Sequence, residues 1–147
     1  MANQLFWADR RVVVTGHTGF KGAWLCTWLD ELGAEVTGIG LPPATEPSLF
    51  AMSDLPRRVH SRVADVRSRE LLARHLREAE PEIVFHLAAQ PLVLRSLQDP
   101  VATFQSNILG VVNLLDAARR LPSVRSVVVV TSDKCYLRPD RRCSEGD

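Results

Sequence analysis

Residues 12–22 read Val12-Val13-Val14-Thr15-Gly16-His17-Thr18-Gly19-Phe20-Lys21-Gly22, an apolar run followed by three glycines. Val12–Thr15 is short, β-branched and ended by Gly16, which predicts a buried strand. From Lys21 the period changes. Leu25, Leu29 and Leu32 fall at i, i+4 and i+7 with Trp24 and Trp28 beside them, so Lys21–Leu32 is expected to be an apolar-faced helix. Gly33 follows where a helix C-cap glycine belongs. Between strand and helix the glycines stand at G-x-x-G-x-x-G spacing. Gly16 would allow the turn, Gly19 the close approach of a ligand, and Gly22 the tight packing of helix on strand. A pyrophosphate could then rest on backbone N–H groups at the helix N-terminus. The plainer reading is a structural turn with incidental glycines. The strand–turn–helix setting favours dinucleotide binding.

The rest of the chain repeats the alternation. Glu35–Leu41 reads as a second strand, and Pro42–Pro47 as a loop, because its three prolines remove donors and fix φ. Arg62–Val66 is expected to be a short third strand. Ser68–Glu80 is expected to be a helix with Leu71, Leu72, His75, Leu76 and Ala79 on one side. Glu82–Ala88 is a fourth strand and Val124–Thr131 a fifth. Between them Asp99-Pro100 supplies an N-cap and N1 pair for a long helix, 99–120, marked by Phe104, Ile108, Val111, Leu115 and Ala118. Strands alternating with helices require parallel pairing through right-handed crossovers. The fold class is therefore α/β, a doubly wound parallel sheet of Rossmann type in the order 3-2-1-4-5. A ligand crevice is expected at the carboxyl ends of strands 1 and 4. Residues 1–136 form this domain, and the polar segment 137–147 is expected to be disordered.

Composition narrows the function. Length suits one core, and a net charge of +1 gives no footprint for nucleic acid or an acidic membrane. No apolar run approaches the length of a membrane span, and the N-terminus has no secretory pattern. Three cysteines without a C-x-x-C pair make neither a disulfide framework nor a zinc pattern, so a metal-free protein of the reducing cytoplasm is expected.

Two further strand ends carry chemistry. Leu87, Ala88, Ala89 and Gln90 are small or neutral residues over which a cofactor could pass; ordinary strand packing explains them equally. His86, inside an apolar strand, reads more readily as a hydrogen-bonded core histidine than as a catalyst. Thr131, Ser132, Asp133 and Lys134 bring two hydroxyls, a carboxylate and an amine to the end of strand 5, suited to hydrogen bonding and proton transfer or to a polar turn. The acid that usually binds the adenosine ribose, about 20 residues beyond the glycines, is replaced by Gly38-Ile39-Gly40-Leu41. NAD and NADP therefore both remain open, with His17 and Lys21 as candidates for a 2′-phosphate or as solvated loop residues.

The segments GHTGFKGAWL, PPATEPSLF, HLAAQPLVLRS and TSDKCY together resemble the CDP-glucose 4,6-dehydratases, a branch of the extended short-chain dehydrogenase/reductase superfamily. The resemblance runs to about Tyr136. It implies a lyase that uses NAD to oxidise a nucleotide sugar at C4, eliminates water across C5–C6 and returns the hydride to C6. The product, CDP-4-keto-6-deoxyglucose, serves surface-polysaccharide synthesis. It also implies that Gly16, Thr18, Gly19, Phe20 and Gly22 hold the pyrophosphate, that Asp65 and Val66 flank adenine, and that Leu87–Gln90 and Thr131 wall the cofactor. Ser132 would sit near the C4 oxygen. Asp133 would protonate the leaving C6 hydroxyl. Lys134 stands where relatives carry a glutamate base, and it can act only if neutral. Leu94 departs from the arginine expected before Arg95. The family's Tyr-x-x-x-Lys pair is absent, since Tyr136 is followed by Asp140. The chain is thus expected to be an incomplete cofactor-binding portion, inactive alone and dimeric through the 99–120 helix. Two rivals are another NAD(P)-dependent sugar-nucleotide epimerase or reductase, and a non-catalytic dinucleotide-binding remnant.

Overall fold

The computed structural model describes residues 4–132 and Ser144. The elements run α1 (Gln4–Trp7), β1 (Arg11–Thr15), α2 (Phe20–Glu31), β2 (Glu35–Gly40), α3 (Leu49–Met52), α4 (Leu55–Arg58), β3 (His60–Val63), α5 (Arg69–Ala79), β4 (Ile83–His86), α6 (Val93–Gln98), α7 (Pro100–Phe104), a π-helical segment (Gln105–Leu109), α8 (Gly110–Ala118) and β5 (Ser126–Val129). The strands form one parallel sheet in the order β3-β2-β1-β4-β5, as the alternation requires.

Alternate residues of each strand feed opposite cores. Val12, Val14 and Val36 face α2, where Ala23, Cys26 and Leu29 meet Phe50 of α3 and Leu55 of α4. Val13, Ile39 and Val84 face the other way, onto Leu72 and Leu76 of α5 and Leu114 and Ala117 of α8. Both sides of β1 are therefore sealed, which explains its run of valines. The Cys26 thiol is fully buried, and burial, with Asp30 nearby, pushes its pKa up to about 12.

Several expectations are corrected. The buried stripe of α2 is Gly22, Ala23, Cys26 and Leu29, while Trp24 and Trp28 lie outside, 56% and 57% exposed. Close approach of helix to strand selects small residues, so the bulkiest side chains turn outward. β3 covers 60–63 rather than 62–66, because the Asp65 carboxylate accepts from Arg67 N–H at 2.9 Å and closes a turn there. The helix expected over 99–120 begins after the Asp99 cap but passes through the π-helical segment at Gln105–Leu109. Two short helices, α3 and α4, follow the proline loop, α3 being capped by the Ser48 hydroxyl. α6 occupies residues to which the sequence pattern assigns no element. No helix among the described residues is long and apolar enough to cross a membrane.

Candidate functional site

Gly16 ends β1 at φ +74°, a left-handed conformation that favours glycine. A Cβ there would lie 2.8 Å from the Ala88 nitrogen, so the turn fits against the end of β4 only as glycine. Gly16 N–H donates to the Ile39 carbonyl of β2 at 2.8 Å, and Gly16 O accepts from Gly19 N–H at 3.1 Å. The Thr18 hydroxyl donates to Leu41 O at 2.8 Å and ties the turn to the end of β2. Gly19 differs from its neighbours. Its φ is −76°, open to any residue, and a Cβ on it would stand 3.3 Å from the Gly16 carbonyl. It is exposed, and as N-cap of α2 it offers no side chain to the first-turn N–H groups. Phe20, 71% exposed, opens the helix beside it.

His17 is buried rather than turned toward solvent or a 2′-phosphate, which corrects that expectation. Its ring occupies the space a Cβ on Gly38 would need, 2.2 Å from the nearest ring atom, and meets Phe50 edge-on at 5.1 Å between centroids. Nε2 pairs with Ser61 Oγ at 2.7 Å. The glycines at 38 and 40 thus make room for an imidazole, and burial lowers its pKa, outweighing the Ile39 carbonyl that favours the charged form. Lys21, the other candidate, is exposed.

Across the crevice, His86 is a buried, hydrogen-bonded core residue. Its Nδ1 lies 2.7 Å from Thr15 Oγ1, which also accepts from Ala88 N–H at 3.2 Å. Leu87 and Ala88 are half-buried and Ala89 is exposed. Gln90 is held at both ends of its peptide. Its N–H donates to Asn107 Oδ1 at 2.7 Å, and Asn107 Nδ2 donates to its carbonyl at 3.0 Å. The Gln90 side chain donates to Thr103 Oγ1 at 3.0 Å. Asn107 sits in the π-helical segment, where widening of the helix brings its amide to the β4 loop. Sequence reading missed Asn107 and Thr103; a polar residue interrupting the 99–120 apolar stripe was the available signal.

At the third strand end, Val66 is buried against Gly110, where a Cβ would meet Val66 Cγ2 at 2.8 Å. Asn113 Nδ2 donates to the Val66 carbonyl at 3.1 Å. The Asp65 carboxylate is taken by the Arg67 guanidinium at 2.6 and 2.9 Å, which holds its pKa below the usual carboxylate range. Thr131 and Ser132 follow β5 and are exposed. Asp133, Lys134 and Tyr136 lie outside the described residues, as does the 137–147 segment apart from Ser144. Among the described residues no three metal-ligating side chains converge.

A parallel sheet with a glycine turn opening α2 at the switch point between β1 and β4 defines a Rossmann-type architecture. The chain belongs to the NAD-dependent epimerase/dehydratase family, whose model matches residues 12–145. It is 47% identical over 136 residues to the CDP-glucose 4,6-dehydratase of Salmonella typhimurium, covering 92% of this chain and 38% of that protein. Among solved structures it is similar to the Thermus thermophilus UDP-glucose 4-epimerase in complex with NAD, with 34% identity, a TM-score of 0.69, and coverage of 79% of this chain and 35% of that one. The UDP-N-acetylglucosamine 4-epimerase of Methanobrevibacter ruminantium, at 25% identity, superposes with a TM-score of 0.75 over 95% of this chain and 44% of that one. The chain therefore spans well under half the length of these relatives.

Proposed function

We propose that this chain is the cofactor-binding portion of an NAD-dependent sugar-nucleotide 4,6-dehydratase of the cytoplasm acting on CDP-glucose. Residues 1–136 make up the binding domain. The observation that carries the reading is Gly19: its φ is open to any residue and a Cβ would ask the Gly16 carbonyl to give by only a few tenths of an ångström, yet a side chain there would cover the uncapped N-terminus of α2. Gly16, Thr18, Gly19, Phe20 and Gly22 receive the pyrophosphate on backbone N–H groups. Asp65 and Val66 flank the adenine, and Leu87–Gln90 with Thr131 wall the nicotinamide side.

NAD, when bound, supplies the hydride acceptor. Ser132 hydrogen-bonds the sugar C4 oxygen, Asp133 gives a proton to the departing C6 hydroxyl, and Lys134, neutral, takes the C5 proton. These 147 residues hold no Tyr-x-x-x-Lys pair to remove the C4 hydroxyl proton, so by themselves they bind cofactor without turning over. The 47% identity to a CDP-glucose 4,6-dehydratase supports CDP-glucose over the sugars of the epimerases. The exposed apolar side chains of α6, α7 and the π-helical segment, among them Leu97 and Phe104, support pairing of two copies through that surface.

Calorimetric titration of NAD into wild type and Gly19→Val tests the site. Wild type should bind and the variant, equally folded by circular dichroism, should not. Equal affinities would remove the glycine turn as the binding site. NADP titrated in parallel decides between the two cofactors.

A further inference from the structure

Gly16 is flanked by two residues whose side chains lead to opposite faces of the sheet. Thr15, on the α5–α8 face, is bonded to His86 Nδ1 at 2.7 Å. His17, on the α2–α3 face, is bonded to Ser61 Oγ at 2.7 Å and fills the space above Gly38. Both rings are buried, at 1% exposure for His17 and 2% for His86. Each has one nitrogen, His17 Nδ1 and His86 Nε2, that is buried and forms no hydrogen bond of ordinary length. We propose that His17 and His86 are positioning residues which clamp the Gly16 turn from both faces of the sheet while neutral, so that acid loosens the turn and weakens dinucleotide binding.

The chemistry of each contact supports this. Thr15 Oγ1 accepts from Ala88 N–H and shares a single hydrogen with Nδ1 of the neutral His86 ring, while Nε2 is buried without a partner. Protonation puts an N–H on both nitrogens of each ring, so one of His17 Nδ1 and Nε2 and one of His86 Nδ1 and Nε2 becomes a buried donor with nothing to receive it, beside the turn that is fitted against Ala88. On the other face, the neighbours of His17 are Gly38, Gly40, Phe50 and Ser61, none of them charged. Among the described residues no carboxylate stands within ion-pair distance of either ring, the one histidine so paired being His75; burial disfavours the charged form of both rings, and the Ile39 carbonyl opposes it at His17. A buried imidazolium here has no counter-charge, and the chain relieves it most directly by opening the turn to water.

The proposal rests on the turn being the cofactor site, so the experiment separates the two. Amide hydrogen exchange of the cofactor-free 147-residue chain, corrected for intrinsic rates, is followed from pH 7.5 to 5. Protection at residues 15–17 should fall by about tenfold while α5 stays protected. NAD affinity over the same range should weaken by a similar factor. His17→Gln places an amide at the Nε2 position and His86→Asn at the Nδ1 position, neither able to titrate. The double variant should flatten both profiles, whatever its affinity at pH 7.5. Unchanged protection at 15–17 in wild type, or loss spread evenly over the chain, overturns the clamp. If protection falls as expected and NAD binds at no pH, the clamp stands and the cofactor reading falls. The wild-type exchange data decide the matter even if the double variant does not fold.

Discussion

A Cβ placed on Gly22 would lie 2.1 Å from the carbonyl oxygen of Gly16. The first turn of α2 therefore rests directly on the turn that ends β1, backbone against backbone, and the helix axis is fixed relative to the strand before any larger side chain packs. Whatever binds at the α2 N-terminus meets a rigid platform.

Four glycine substitutions follow as a graded series. Gly22→Ala and Gly16→Ala must each displace backbone, and each should cost about 3 kcal/mol or more in equilibrium denaturation. Gly33→Ala keeps a φ of +86° but meets nothing nearer than 3.6 Å, so only the backbone penalty remains, about 1–2 kcal/mol. Gly19→Ala should cost less than about 1 kcal/mol. A loss at Gly19 equal to that at Gly22 would mean the second glycine is needed by the fold rather than by a ligand.

Asn107→Ala removes both hydrogen bonds to the Gln90 peptide and leaves its N–H and C=O unpaired in a half-buried loop. A loss of about 1–3 kcal/mol is expected in urea unfolding. Asn107→Asp keeps the acceptor and loses the donor, so it should fall between. NAD affinity should drop in the same order, since Gln90 belongs to the proposed cofactor wall; unchanged affinity in Asn107→Ala would separate the loop from the site.

Asp116 of α8 accepts from Arg69 of α5 at 2.7 Å and from Arg119 and Arg120 on its own helix, and these contacts hold its carboxyl far below the usual range. A depressed carboxylate stabilises the fold above its unfolded pKa, near 3.9, and that contribution disappears as pH falls from there toward the native value. Asp116→Asn should thus melt below wild type at pH 7. The gap should narrow below pH 4 and in 1 M salt, because the contacts are largely exposed. A gap independent of pH and salt would assign the effect to helix packing instead.

Leu97 is 75% exposed and Phe104 62% exposed on neighbouring helices. Light scattering over a concentration series should show self-association of the chain, and Leu97→Lys with Phe104→Lys should abolish it without lowering the melting temperature. A chain that stays monomeric at high concentration would leave this surface without a second copy.

Incubated with CDP-glucose and NAD, the 147-residue chain should give no 4-keto-6-deoxy product, detected by its absorbance in alkali. Missing general-base catalysis alone costs on the order of 10²–10⁴ in rate. Turnover near that of an ordinary enzyme would require another base, with Tyr136 first to be tested.

The strand–turn–helix opening, the alternation that forces a parallel sheet, and the order 3-2-1-4-5 were all legible in the residues alone. Those depend on local periodicity and on crossover handedness, and both are written in neighbouring residues. The sequence also marked Gly16, Gly19 and Gly22, because a glycine between a β-branched run and an apolar helix has few uses. Which side of α2 is buried depends on how closely the helix meets β1 rather than on how apolar its residues are, so the small residues Gly22, Ala23 and Cys26 go in and Trp24 and Trp28, beside the leucines in the pattern, stay out. Only the fold brought His17 over Gly38 and Ser61, residues 21 and 44 positions away, and turned a candidate surface ligand into a buried wedge. Asn107 reaches Gln90 through a π-helical widening, and the sequence carries no more of this than a polar residue interrupting an apolar stripe. Local patterns fix elements and their order, while contacts between distant residues fix which side chains stand at the crevice.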